Sequence, residues 1–156
     1  MTSLFKLVLD EERTLRPAFI LERGFSARVF PDHIDRNEFF SFAARDQNET
    51  AESVAIHHAE YGAEEETLIR NDVSSAWKAV FELSHEDIVV EFAGRNLFLW
   101  LPAGEHMYVA FGSSAIIEAL GDLNDLNREF DEYVEESGLT EQGKAFLRDC
   151  SRKYCL

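Results

Sequence analysis

The sequence predicts an α+β fold, an antiparallel sheet packed with several helices, and three observations carry that expectation. First, a three-stranded meander is legible over about 87–111, where β-prone runs are separated by turns too short for anything but antiparallel neighbours. Second, its middle run, Leu97-Phe98-Leu99-Trp100-Leu101, has no polar face, whereas a sheet wetted on one side alternates. Helices covering both faces, or a face lost to an interface, are therefore required. Third, the C-terminal third carries apolar stripes at helical spacing between capping residues.

Taken in order, Leu4–Leu9 is a short apolar run that reads as a first strand. Ala18–Leu21 and Phe25–Phe30 flank Arg23-Gly24 and read as a hairpin, ended by Pro31. Asp32 or Asp35 is placed to cap a helix starting near Ile34. Residues 38–61 are ambiguous. Ala51, Val54, Ala55, His58 and Ala59 recur at helical spacing, while Thr50, Glu52, Val54, Ile56 and His58 alternate like a strand; helix is preferred. Asp72 or Ser74 caps a helix whose stripe is Val73, Ala76, Trp77 and Val80, with Phe81 beside it.

After the meander, Ser113 or Ser114 opens a helix carrying Ile116, Ile117 and Leu120, interrupted at Gly121-Asp122. Leu123, Leu126, Phe130 and Tyr133 or Val134 continue the stripe, and Gly138 ends it. Thr140 caps a last helix with Ala145, Phe146 and Leu147 inward and a basic C-terminal turn that suits the helix dipole.

Length allows a single globular domain over residues 1–156. Hydrophobic residues make up 46%, including thirteen Phe and two Trp, which excludes a disordered acidic tail. No apolar run approaches the roughly 18–20 residues that span a bilayer, and no leader pattern opens the chain. A cytoplasmic protein with no membrane partner is the expectation. Cys150 and Cys155 are spaced poorly for zinc and read as free thiols.

Charge carries the functional reading. Thirty Asp and Glu face fifteen Lys and Arg, a net charge of −15. Residues 49–66 hold six Glu and no Lys or Arg; residues 118–136 hold eight acids against Arg128 alone. Such a surface repels nucleic acid and attracts cationic proteins. The expected partner-binding residues are Asp122, Asp125, Glu129, Asp131, Glu132, Glu135 and Glu136, followed by Glu60, Glu64, Glu65 and Glu66.

Catalytic motifs are missing. Asp32-His33-Ile34-Asp35 sets an imidazole between carboxylates but reads as capping chemistry at a strand–helix junction. His57-His58 with Glu60 and Glu64–Glu66 is the best metal candidate on a helix reading, yet offers fewer than the three ligands a catalytic zinc needs. Ser113 and Ser114 sit in no nucleophile elbow, and the single Gly112 before them is a weak anion signal. No cofactor or metal is expected. The expected function is non-catalytic: neutralisation of a basic protein partner, in the manner of an immunity protein inhibiting a toxin such as a nuclease. The alternative is a small α+β enzyme or ligand-binding domain with a cleft near the meander, using His106, Tyr108 and Trp100. A third option is self-association through the apolar sheet face.

Overall fold

A computed structural model describes residues 4–44, 53–60, 63–70, 72–92, 94 and 96–155, with backbone alone for 59–60 and 63–70. In chain order the elements are α1 (Leu4–Val8), α2 (Pro17–Glu22), β1 (Phe25–Pro31), α3 (Arg36–Ala43), β2 (Ser53–Glu60), β3 (Ala63–Arg70), α4 (Val73–Glu82), β4 (Ile88–Phe92), β5 (Leu97–Leu101), β6 (Met107–Ser113), α5 (Ser114–Glu118), α6 (Leu123–Glu136) and α7 (Glu141–Lys153). The strands form one six-stranded sheet in the order β1-β6-β5-β4-β2-β3. Every pairing is antiparallel. The α+β expectation holds, and the meander is β4, β5 and β6.

The all-apolar middle strand is explained by its position. Strand residues alternate between faces, so Phe98 and Trp100 enter one core while Leu97 and Leu99 enter the other. The first core is closed by α1, α2, α6 and α7 through Val8, Ile20, Phe130 and Leu147. The second is closed by α3, α4 and α5 through Phe39, Val80 and Ile117. At β5 both faces are thus covered by helix, as a strand with no polar side requires.

Aromatic rings fill both layers. Phe98 stacks on Phe111 at 5.3 Å between centroids, and Phe30 stacks on Tyr108 at 5.2 Å. Trp100 packs edge-on against Tyr154, whose hydroxyl donates to the Leu15 carbonyl at 2.6 Å. The C-terminal helix is thereby tied to the N-terminal segment by a buried polar contact that would be costly to leave unmade.

Several local readings are corrected. Leu4–Val8 is helix, not strand, and Ala18–Leu21 lies in α2, so β1 has no hairpin partner before it. Its partner is β6, with Pro31 still paired opposite Met107; proline is tolerated because β1 is an edge strand. Residues 53–60 are strand rather than helix: Val54 and Ile56 bury against Phe92 and Val90 of β4. The stretch before them, with Thr50, Ala51 and Glu52, lies outside the described residues. In α7, Leu147 is buried as expected, but Ala145 and Phe146 are exposed; Cys150 and Ser151 complete its inner side.

Three of the expected caps form, at Asp35, Asp72 and Thr140, and Asp122, read as an interruption, adds another. Asp35 and Glu38 form a reciprocal capping box on α3. Asp72, Asp122 and Thr140 each accept a backbone N–H of the first turn they precede. At α5 the N-cap residue, Ser113, makes no capping bond; Ser114 Oγ instead lies 2.8 Å from Ser26 Oγ, which ties α5 to β1.

Candidate functional site

Helix α6 packs over β1, at one end of the sheet, and buries only Phe130 and Val134. All seven acids expected to bind a partner here (Asp122, Asp125, Glu129, Asp131, Glu132, Glu135 and Glu136) are exposed. They do not carry equal free charge. Asp122 is occupied as the N-cap, accepting from the N–H groups of Asn124 and Asp125. Asp125 pairs with Arg128 at 3.2 Å, and Glu135 pairs with Arg148 of α7. Asp131 and Glu135 share a groove with Arg148 and Arg152, so cations of α7 flank that side.

Glu129, Glu132 and Glu136 differ. They follow one another at three- and four-residue spacing, and among the described residues no Lys or Arg lies within ion-pair distance of any of them. Like charges so spaced destabilise a helix by roughly 0.2–0.5 kcal/mol per pair. The last turn of α6 also holds no basic residue, so Glu136 opposes the helix dipole. Helix stability does not account for these three carboxylates.

The second acidic segment is elsewhere. Glu60, Glu64, Glu65 and Glu66 belong to the β2–β3 hairpin, and β3 is the edge opposite β1. Five strand spacings separate the two edges, about 24 Å. The two acidic segments are therefore separate features rather than one patch. Glu49 and Glu52 lie outside the described residues.

The metal reading of His57 and His58 fails on geometry. Adjacent strand residues point to opposite faces. His57 Nε2 lies 3.3 Å from Glu91 Oε1, whereas His58 Nδ1 lies 3.5 Å from Glu86 Oε2. Both imidazoles are buried, each against its own carboxylate.

A cleft does open near the meander, between α4 and the ends of β4, β5 and β6. Its volume is about 400 Å³, and its walls include Ile34, Trp77, Phe81, Leu101, Met107 and Tyr108. Phe81 is 66% exposed, a large apolar group left facing solvent at this wall. Of the three residues expected in such a cleft, Tyr108 is present. Trp100 is on the other face of the sheet, against Tyr154. His106 lines a neighbouring shallow groove with Thr140 and Phe146. Tyr108 does not offer a free hydroxyl: it donates to Glu38 Oε2 at 2.7 Å. Burial, then that bond and the Glu38 charge, hold its phenol far above the ordinary tyrosine range.

One cluster escaped the sequence. Pro31 faces Met107 across the β1–β6 ladder, so the next residues outward, Asp32 and His106, fall opposite each other. The Asp32 N–H donates to the His106 carbonyl at 3.0 Å. Asp32 sits at φ 63°, a left-handed conformation that Asp tolerates, and its carboxylate accepts the His33 N–H at 2.8 Å. The two imidazoles meet with centroids 5.4 Å apart. The Tyr133 ring of α6 is near: burial first, and then the Asp32 charge, raise its phenol above the usual value.

No family model, curated sequence or solved structure matches this chain. Function is thus read from the side chains alone. Among the described residues no helix is long and apolar enough to cross a membrane. The sequence marked Asp32 and His33 but not their meeting with His106, because only strand register brings those two loops together.

Proposed function

We propose that the chain is a non-catalytic binding protein that neutralises a basic protein partner through α6, in the manner of an immunity-type inhibitor of a toxin domain. One observation carries the reading: Glu129, Glu132 and Glu136 form an exposed anionic stripe, unpaired by any Lys or Arg among the described residues, on a helix anchored by Phe130 and Val134. A partner cation would relieve the repulsion and the dipole conflict that the free chain bears. A nuclease is the partner class that fits best, because a phosphate-gripping cleft is cationic and can be covered by such a stripe. Electrostatic steering would make association fast.

The hairpin acids Glu60, Glu64, Glu65 and Glu66 form no part of this face. Within α6, Glu129, Glu132 and Glu136 are the contacts and Asp125 and Glu135 are secondary, since each is already paired. The test is co-purification with the products of the reading frames beside this chain's gene, followed by titration of any basic partner against the Glu129→Lys/Glu132→Lys/Glu136→Lys variant. Capture of a basic partner by the native chain, lost in the variant, supports the proposal. A partner bound equally by both chains refutes the α6 face.

The cleft favours a second reading, binding of a small apolar ligand. Trp77, Phe81 and Met107 supply apolar wall, as ligand sites usually do. Under that reading Phe81→Ser removes binding of a fluorescent apolar probe, while the α6 substitutions leave it unchanged.

A further inference from the structure

We propose that Asp32, His33 and His106 form a binding site for one divalent transition-metal ion of the zinc class. One ligand atom from each side chain lies within 4.8 Å of the other two. Around a tetrahedral zinc, with bonds of about 2.0–2.2 Å, such atoms stand roughly 3.4 Å apart. The set is therefore open by little more than an ångström, a distance that rotations of exposed side chains close. The backbone already fixes the approach. The β1–β6 ladder runs up to Pro31 and Met107, and the Asp32 N–H extends it by one bond to the His106 carbonyl at 3.0 Å. The two rings lie at 5.4 Å and 41°, side by side rather than buried in separate pockets.

The donor set selects the ion. Two imidazoles and one carboxylate suit zinc, cobalt and nickel, whereas calcium requires six to eight oxygens and magnesium keeps an oxygen octahedron. Three protein ligands leave a tetrahedral ion one position for water or an incoming group, an open position that structural zinc sites lack. His33 lines the apolar cleft and His106 lines the groove beside α7, so the ion would sit between two concave surfaces.

The ligands separate this site from the proposed α6 contacts, although Tyr133 of α6 lies near Asp32. None of its ligands belongs to the Glu129, Glu132 and Glu136 stripe, so the two proposals fail independently. His57 and His58 provide a contrast within the same chain, since their rings go to opposite faces and meet different carboxylates.

The experiment is calorimetric titration of the full chain with zinc chloride at neutral pH, together with the visible absorption spectrum of the cobalt-loaded chain. The expected result is one ion per chain, no heat with calcium or magnesium, and a tetrahedral cobalt spectrum. His33→Gln and His106→Gln should each weaken zinc binding by at least about 10-fold, since even supporting residues around a metal cost that much. His85→Gln is the control, because that exposed imidazole lies 3.9 Å from Glu86 and outside the site; it should leave binding unchanged. Circular dichroism of each variant reports retained fold, and Asp32→Asn provides a third substitution. The α6 triple-Lys chain should bind zinc normally. Absence of zinc binding, or binding that survives both His33→Gln and His106→Gln, would overturn the assignment.

Discussion

Replacing Tyr108 with Phe isolates one bond and leaves its surroundings intact. The ring keeps its stack on Phe30 at 5.2 Å and its edge contact with Phe42 at 6.1 Å. What disappears is the hydroxyl that donates to Glu38 Oε2 at 2.7 Å. The other Glu38 oxygen accepts the Asp35 N–H at 3.1 Å, while Asp35 Oδ1 accepts the Glu38 N–H at 2.8 Å. This carboxylate therefore ties β6 to the start of α3. A hydrogen bond to a charged group contributes about 1.5–3 kcal/mol, and Tyr108→Phe should lower unfolding stability by that amount. Because no cavity forms, the urea slope should stay constant while the midpoint falls. Combining Tyr108→Phe with Glu38→Gln should cost less than the sum of the two, with a coupling of about 1–2 kcal/mol. The folded phenol holds its proton more firmly than the unfolded one, so its stabilisation is complete below about pH 10 and declines above it. A loss below about 0.5 kcal/mol, or strict additivity, would refute the bond's role.

Two further outcomes test the fold. Gly112 lies in β6 opposite Leu97, and a Cβ there would stand 1.9 Å from the Asn96 carbonyl oxygen; Gly112→Ala should cost at least about 2–3 kcal/mol in chemical unfolding, and a neutral result would mean that β5 and β6 are further apart than described. Burial, and then the Glu105 charge, push the Cys150 thiol up to about 11, whereas Cys155 is exposed, so a thiol reagent should titrate one cysteine at once and the second only on unfolding. Since the raised value favours the protonated thiol in the folded state, stability should also fall between about pH 9 and pH 11; equal reactivity of both thiols would contradict the packing of α7.

Much of the fold was legible where the signal was local. Gly94 and Gly104, both at positive φ, mark the meander turns, and Asp35, Asp72 and Thr140 stand at helix starts as their chemistry requires; Asp122, read only as an interruption, is the cap of α6. Gly138, at φ 72°, closes the α6 end. Failures came where length could not decide between periods. Leu4–Val8 has five residues and Pro17–Glu22 six, too few to separate a 3.6 from a 2.0 repeat. Val54, Ile56 and His58 fitted both patterns, and only pairing with β4 resolved them. The acids of α6 were legible as a group, but not their division into paired and unpaired members, which depends on where α7 places Arg148. His33 and His106 were visible individually; their meeting follows from the β1–β6 register, which no local pattern encodes.

The most direct measurement is the association rate of the native chain and of its Glu129→Lys/Glu132→Lys/Glu136→Lys variant with a basic protein captured as the proposed partner, followed across ionic strength. Three carboxylates exposed on one rigid turn-to-turn stripe should give fast capture that slows steeply as salt is added, and the variant should associate at least about 10-fold more slowly at low salt with little dependence on it. Identical rates and identical salt slopes for the two chains would contradict the account.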